Sequence, residues 1–346
     1  MHAAGWHWLD ARFALGCALP ALSLFNVLVR PGHAAMGAFL IFAFIAIAEA
    51  VWPGFKRSPE PVGEQHGLVW LLRLYVPLQL ALLAAAVPAA ARADWGVVFG
   101  LAFAVGFVTG AQGITYAHEL GHSRSKGDRV LGWVLMTTVN YPQFMVEHYR
   151  GHHVRAATPA DPATARLGES LWRFLPRTVA GNFMGAWRLE AVRLAQFRRG
   201  WASSPMVWAT SAQIVLLAIV AAVGGWKAVV FWFAQSAFAV WLLETVNYIE
   251  HYGLVRAPGE PFGPQHAWNA DHAISNSLLA NLQRHSDHHM HAWKAYPALQ
   301  ALPDTPQLPT GYAGCIVLAA IPPLWFRLVH PATGARAGSP LRADPP

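Results

Sequence analysis

The stretch WGVVFGLAFAVGFVTGAQGITYAHELGH, residues 95–122, joins an apolar run without a single charge to two histidines that flank a glutamate. Crossing the hydrocarbon of a bilayer takes about 20 residues of helix, and 95–117 meets that length. HELGH, residues 118–122, is an HExxH pattern, in which two histidines four apart can hold zinc and the glutamate can serve as base. The same residues thus pose a choice: a hydrolytic zinc site, or some other metal chemistry at the end of a membrane span.

Composition favours the membrane. Hydrophobic residues make up 55% of the 346 and charged residues 12%, with sixteen tryptophans. A soluble domain carries about a quarter charged residues. Runs of spanning length occur at 13–29, 34–53, 68–91, 95–117, 206–223 and 228–249. The expected fold is all-α integral membrane, with six transmembrane helices and a cytoplasmic helical cap. Residues 1–117 hold four spans, 118–205 a first cytoplasmic region, 206–249 a hairpin of spans, 250–330 a second cytoplasmic region, and 331–346 a disordered tail. Segment 130–144 is short and reads as an interfacial helix. Segment 312–329 is interrupted by Pro322 and Pro323 and reads as packing on the bundle without crossing.

Positive charge sets the orientation. Residues 118–205 contain twelve Lys and Arg, whereas the opposite turns offer only Arg30, Arg92 and Lys227. The long region is therefore expected in the cytoplasm. The formal net charge of +7 belongs to that face and gives no reason to invoke nucleic acid. The two cysteines, Cys17 and Cys315, lie in apolar segments and form no CxxC. Any one-electron carrier must then be another chain.

Nine of the seventeen histidines fall in four patches. These are HELGH (His118, His122), EHYRGHH (His148, His152, His153), NYIEHYG (His251) and LQRHSDHH (His285, His288, His289). Spacings of three and four on helical backbone direct imidazoles to one side. Topology puts all four patches on one membrane face, where they can converge on one metal site. A catalytic zinc uses three protein ligands, so nine imidazoles suit two ions better than one. Imidazole accepts iron, copper, nickel and zinc alike, and the metal stays open on this ground.

Carboxylates are interleaved. Glu119, Glu147, Glu250 and Asp287 each adjoin a candidate ligand, and Asp161 and Asp271 lie close by in sequence; any of these could hold an imidazole by its second nitrogen, or one could bind metal directly. Glu49, Arg73 and Glu244 are ionisable groups inside spans and are functional candidates on that account, although Glu49 and Glu244 sit near span ends where they could also reach water. Phe238 and Trp241 read as packing. His2, His7, His33, His66 and His330 read as incidental.

HELGH, EHYRGHH, NYIEHYGL and LQRHSDHH, with ATPADPATARLGES (157–170), HAWNADHAISN (266–276) and LPTGY (308–312), resemble the membrane alkane 1-monooxygenases. That group is a histidine-box family of non-haem di-iron hydroxylases, related to xylene monooxygenase and the membrane desaturases. The resemblance covers roughly residues 110–330. It implies two iron ions held by His118, His122, His148, His152, His153, His251, His285, His288 and His289. It implies terminal hydroxylation of medium-chain alkanes by dioxygen, with electrons from a separate rubredoxin that a rubredoxin reductase reduces. His266, His272 and His291 fall in the matching region, and His272 joins the residues that could support the ligands. Hydroxylation of an aromatic methyl group and desaturation of a lipid tail are related alternatives. An intramembrane zinc metalloprotease using HELGH and a non-catalytic metal or haem carrier are alternatives of other classes.

Overall fold

The computed structural model describes residues 8–59, 68–257 and 259–334, and among these the regular elements are helices. Long stretches of Leu, Ala, Val and Phe lack polar side chains that could compete for backbone hydrogen bonds, so helix is the only local structure that satisfies every amide without water. The first are α1 (Leu15–Val29), α2 (Ala34–Val51), α3 (Val69–Arg92) and α4 (Trp95–Val108). A π-helical turn, Thr109–Ile114, continues α4 into α5 (Thr115–His122). This α4–α5 column is the centre of the bundle: 72% of its most apolar window is buried, against 28% for α1 and for α2.

The run α10 (Pro205–His251) is 47 residues long, roughly 70 Å if straight and about twice the bilayer core. It does not run straight. Gly225 has φ +61, a conformation that favours glycine, and the two halves fold back on each other there. Both outer ends consequently reach the same helix, α9 (Leu171–Gln196): Met206 packs with Ala186, and Glu244 accepts a hydrogen bond from Asn182. Lys227, just past the turn, donates to the carbonyl of Ala93 at 2.8 Å, and Trp226 packs on Trp95. Gly106 and Gly110 let the second half of α10 approach α4 closely. A Cβ at either would lie 2.7 Å from α10 backbone.

Among the described residues, five helices are long and apolar enough to cross a membrane, α10 counting as one. Helices α13 (Tyr312–Ala320) and α14 (Pro322–Gly334) meet at 119°. Shorter helices gather where α5 and α10 end: α6 (Lys126–Thr138), α7 (Phe144–Glu147), α8 (His153–Arg155), α11 (Ala273–Leu278) and α12 (His285–Met290). Expected disorder from 331 needs correction at its start, since residues 331–334 continue α14, with Thr333 buried. Residues 335–346, and with them the rest of the expected tail, lie outside the described residues, as do His2, His7 and His66. His330 Nδ1 lies 3.1 Å from the Tyr252 hydroxyl.

Candidate metal centre

All nine histidines of the four patches meet in one place, and they divide five and four. One group joins His118 and His122 of α5, His148, His153 of α8 and His288 of α12; the other joins His152, His251 at the end of α10, and His285 and His289 of α12. Within each group one ring nitrogen per residue lies within 4.8 Å of all the others. The groups are adjacent, the rings of His153 and His289 standing 4.4 Å apart.

This division departs from the expectation that three- and four-residue spacings gather each patch on one side. His148–His152 is a π-helical turn, in which residues five apart share a face. His148 therefore pairs with His153, Nε2 to Nε2 3.0 Å, while His152 swings to the other group. On α12 the four-residue spacing keeps His285 with His289, Nε2 to Nε2 3.0 Å, and the intervening His288 crosses to His118, at 2.9 Å.

The nitrogen spacings fit metal. Two imidazoles each about 2.1 Å from a shared ion and at a right angle stand about 3.0 Å apart. The remaining close Nε2 pairs are His288 with His153 at 3.3 Å and His285 with His251 at 3.2 Å. His122 Nε2 and His152 Nε2 are buried without any hydrogen-bond partner, a costly state unless something else takes the lone pair. Burial, with the crowding of neighbouring imidazoles, holds His148, His153, His285, His288 and His289 well below the usual histidine range. They are thus neutral, the form that ligates a cation.

Among the expected supporting residues, Asp161 accepts from His152 at Nδ1, 2.9 Å away. Burial lowers the His152 pKa, but the Asp161 carboxylate overcomes that and leaves it raised. Glu250 Oε1 lies 3.3 Å from His285 Nδ1, and Glu119 Oε1 lies 3.3 Å from His118 Nδ1. Glu147 acts on His152 only through its charge. Its carboxylate pairs with Arg155 and fills the space beside Gly151 and Gly185, wedging the π-turn against α9, and burial pushes its pKa up to about 7. Asp287 binds His291, Lys294 and the amide of Gln300, and so fixes the chain that follows α12. Asp271 ties Arg284, and His272 sits beside Gly311.

Several participants carry no signal that spacing could reveal. Tyr312 donates to Glu250 at 2.6 Å, and the carbonyl of His266 lies 3.4 Å from His251 Nδ1. Phe144 stacks on His148 and Phe262 on His289. Of the charged residues inside spans, Glu49 and Glu244 are buried and do not reach water. Glu49 accepts from the amide and hydroxyl of Ser275. Glu244 accepts from Tyr141, Thr178, Asn182 and Asn247. Arg73 leaves its span to bind Asp128.

A cavity descends from the histidines into the bundle. His118, His148 and His285, from both groups, line its inner end, and Leu19, Phe42, Ile45 and Ile316 line its far end. Most of its polar walls are occupied elsewhere: Thr115 bonds Ala111, Asn247 bonds Glu244, Ser275 bonds Glu49 and Tyr312 bonds Glu250, while Gln112 donates to the carbonyl of Leu278 and keeps its Oε1 unpartnered. The cavity therefore offers an apolar surface almost throughout. Phe42, Phe107, Leu242 and Ile316 separate it from a second cavity, which Phe238 and Trp241 line together with the exposed Phe39, Val317 and Ile321.

Residues 93–330 match the fatty acid desaturase family. Alkane 1-monooxygenase 1 of Pseudomonas aeruginosa is 39% identical, the match covering 96% of this chain and 91% of that protein. Alkane 1-monooxygenase of Ectopseudomonas oleovorans is 42% identical over 68% of this chain and 60% of its own length. The xylene/toluene monooxygenase hydroxylase component of Pseudomonas putida is 29% identical over 94% of this chain and 81% of its own length. Four histidine patches converging on two adjacent nitrogen sets, and similarity along nearly the whole length, place this chain in the alkane 1-monooxygenase family, within the fatty acid desaturases.

Proposed function

We propose that this chain is a membrane hydroxylase that converts the terminal methyl group of medium-chain n-alkanes to a primary alcohol with dioxygen. The single observation that carries the reading is the apolar cavity that ends on histidines of both groups. The names of its relatives point to the same substrate class. In this reading the five- and four-histidine sets each hold one iron. The Gly225 hairpin makes six crossings of a bacterial inner membrane, and the metal site faces the cytoplasm. Rubredoxin, reduced by its reductase, supplies electrons.

The overall change is alkane plus dioxygen, two electrons and two protons, giving alcohol and water. Iron held by these imidazoles would supply dioxygen activation, which zinc could not for want of a second accessible oxidation state. The nine imidazoles hold the cations without adding negative charge beside an apolar substrate. Asp161 fixes the tautomer and direction of His152. The predominantly apolar cavity wall orients the chain end-on, so terminal selectivity follows from the approach. Phe144 covers one side of His148 and excludes water there.

The hydrolytic reading fares poorly. His118 and His122 lie among five candidate ligands instead of the three of a catalytic zinc. Turnover of n-octane by purified protein in nanodiscs, with rubredoxin, its reductase, NADH and isotopically labelled dioxygen, tests the proposal. Octan-1-ol carrying one labelled oxygen is expected; an octene would favour desaturation, and oxygen-independent peptide cleavage would favour a protease.

A further inference from the structure

Helix α9 carries two unlike flanks. Trp172, Val179, Phe183 and Trp187 recur at helical spacing along one of them. Trp172 and Phe183 are exposed, and Trp187 packs on Trp201 with ring centroids 5.8 Å apart. Arg177, Gly181, Gly185 and Leu189, each four apart, form the opposite flank, and the exposed row Met184, Arg188 and Val192 runs between the two. Both outer ends of the α10 hairpin rest on this helix, Met206 on Ala186 and Glu244 on Asn182. Helix α9 therefore lies along the bundle surface, at the level where the apolar runs of α10 begin and end. Tryptophan favours that level, the border of hydrocarbon and water.

Beside the second flank is a cavity of about 570 Å³, bounded by Arg155, Arg166, Arg177 and Arg188, with Met184, Leu189 and Val192 as apolar wall. Among the described residues no acid lines it. Arg177 is already committed, donating to Glu169 and to the carbonyls of Pro162 and Thr164. Arg155 pairs with Glu147, yet its Nε is buried without a partner, a state that calls for an acceptor. The side chains of Arg166 and Arg188 have no hydrogen bond or ion pair among the described residues. Three guanidinium groups with donors to spare thus line one cavity, and guanidinium matches the oxygens of a phosphate.

We propose that this cavity binds the headgroup phosphate of an anionic phospholipid from the adjoining leaflet. The acyl chains lie in the bilayer along the Phe183 and Trp187 flank, the glycerol crosses the row of Met184 and Val192, and the phosphate meets Arg188 and Arg166. That apolar row favours a lipid over free phosphate, which would make no use of it. Basic pockets at the membrane surface take anionic headgroups in this way. The bound phosphate holds the loop 155–166 to α9. The contact bears on the histidines, because Arg155 braces Glu147 and Glu147 wedges the π-helical turn of His148–His152. The proposal rests on the chain being a membrane protein and is independent of the reaction it catalyses.

The test measures binding of a short-chain, water-soluble phosphatidylglycerol to the purified full chain in detergent. Short-chain phosphatidylcholine and inorganic phosphate are the comparison ligands, and thermal melting is the second readout. Arg188→Gln, at an exposed helix position, should weaken phosphatidylglycerol binding about fivefold, and Arg166→Gln/Arg188→Gln about tenfold or more. Arg198→Gln/Arg199→Gln removes two exposed cations beyond the end of α9 and should leave binding near wild type. Phosphatidylglycerol should raise the melting temperature of wild type, as a ligand of the folded state does, and should not raise that of the Arg166→Gln/Arg188→Gln variant. Wild-type affinity in that variant overturns the proposal. An equal loss in Arg198→Gln/Arg199→Gln also overturns it, since only diffuse attraction of charge would remain. Equal binding of phosphatidylcholine removes the headgroup charge from the account, and inorganic phosphate binding as tightly as the lipid removes the lipid; either result overturns the assignment. Should the double variant fold poorly, Arg188→Gln alone decides, and unaltered affinity there overturns the proposal.

Discussion

His152 and Asp161 are 2.9 Å apart, Nδ1 to Oδ2, and both side chains are withdrawn from water. Asp161 also accepts from the Thr164 hydroxyl and the amide of Ala163, so the carboxylate is itself held in place. The contact fixes His152 in the tautomer whose Nε2 lone pair faces the four-histidine set. Asp161→Asn should therefore weaken binding of one ion about 10- to 100-fold, the usual cost of removing such a partner. Iron titration of metal-stripped protein should show one weakened site and one site as in wild type.

Phe42 and Phe107 meet edge to face, ring centroids 6.0 Å apart, between the cavity that reaches the histidines and the cavity that opens outward. Replacing Phe42 with alanine removes most of that partition. The variant should accept alkanes several carbons longer than wild type does, with little change in rate on its shortest substrates. Product profiles across a chain-length series would show it, and an unaltered profile would place the limit elsewhere.

Glu244 gathers Tyr141, Thr178, Asn182 and Asn247 where the turn after α6 meets α9 and α10. Glu244→Leu would leave four buried donors without their acceptor, each worth about 1–3 kcal/mol when stranded. A loss of about 3 kcal/mol or more is expected after partial rearrangement. Glu244→Gln keeps one acceptor oxygen and should cost less. Thermal melting of both variants in the same detergent checks the order.

Glu190 pairs with Arg193 and Arg150 at the end of α9. Burial raises its pKa, but the Arg193 hydrogen bonds, with help from Ser204 and Arg150, outweigh that and leave it below the ordinary 4.5. A depressed carboxylate stabilises the fold above its unfolded pKa, and the contribution fades as pH falls through the folded value. Wild type should accordingly lose thermal stability below about pH 4.5 more steeply than Glu190→Gln. Parallel curves would remove Glu190 from the acid response.

The apolar runs and the nine histidines were legible because hydrophobic length and imidazole clustering are local properties of the chain. The partition of the histidines was not. It depends on a π-helical turn at His148–His152, which holds because Glu147 and Arg155 brace it against α9, a tertiary cause invisible to spacing. Adjacency in sequence does not reveal which partners these carboxylates take: Asp287 holds His291 and Lys294, Glu147 pairs with Arg155, and Tyr312 reaches Glu250 from 62 residues away. Glu49 and Glu244 sit near helix ends, and sequence alone could not tell reaching water from being sealed under a neighbouring helix.

The central claim is that His118, His122, His148, His153 and His288 hold one iron while His152, His251, His285 and His289 hold a second. Metal analysis of purified wild type, alongside the His285→Ala variant, tests it most directly. About two irons per chain in wild type is expected, with the variant retaining about one and forming no octan-1-ol. One ion per chain in wild type, stoichiometric zinc with oxygen-independent turnover, or a fully active His285→Ala would contradict it.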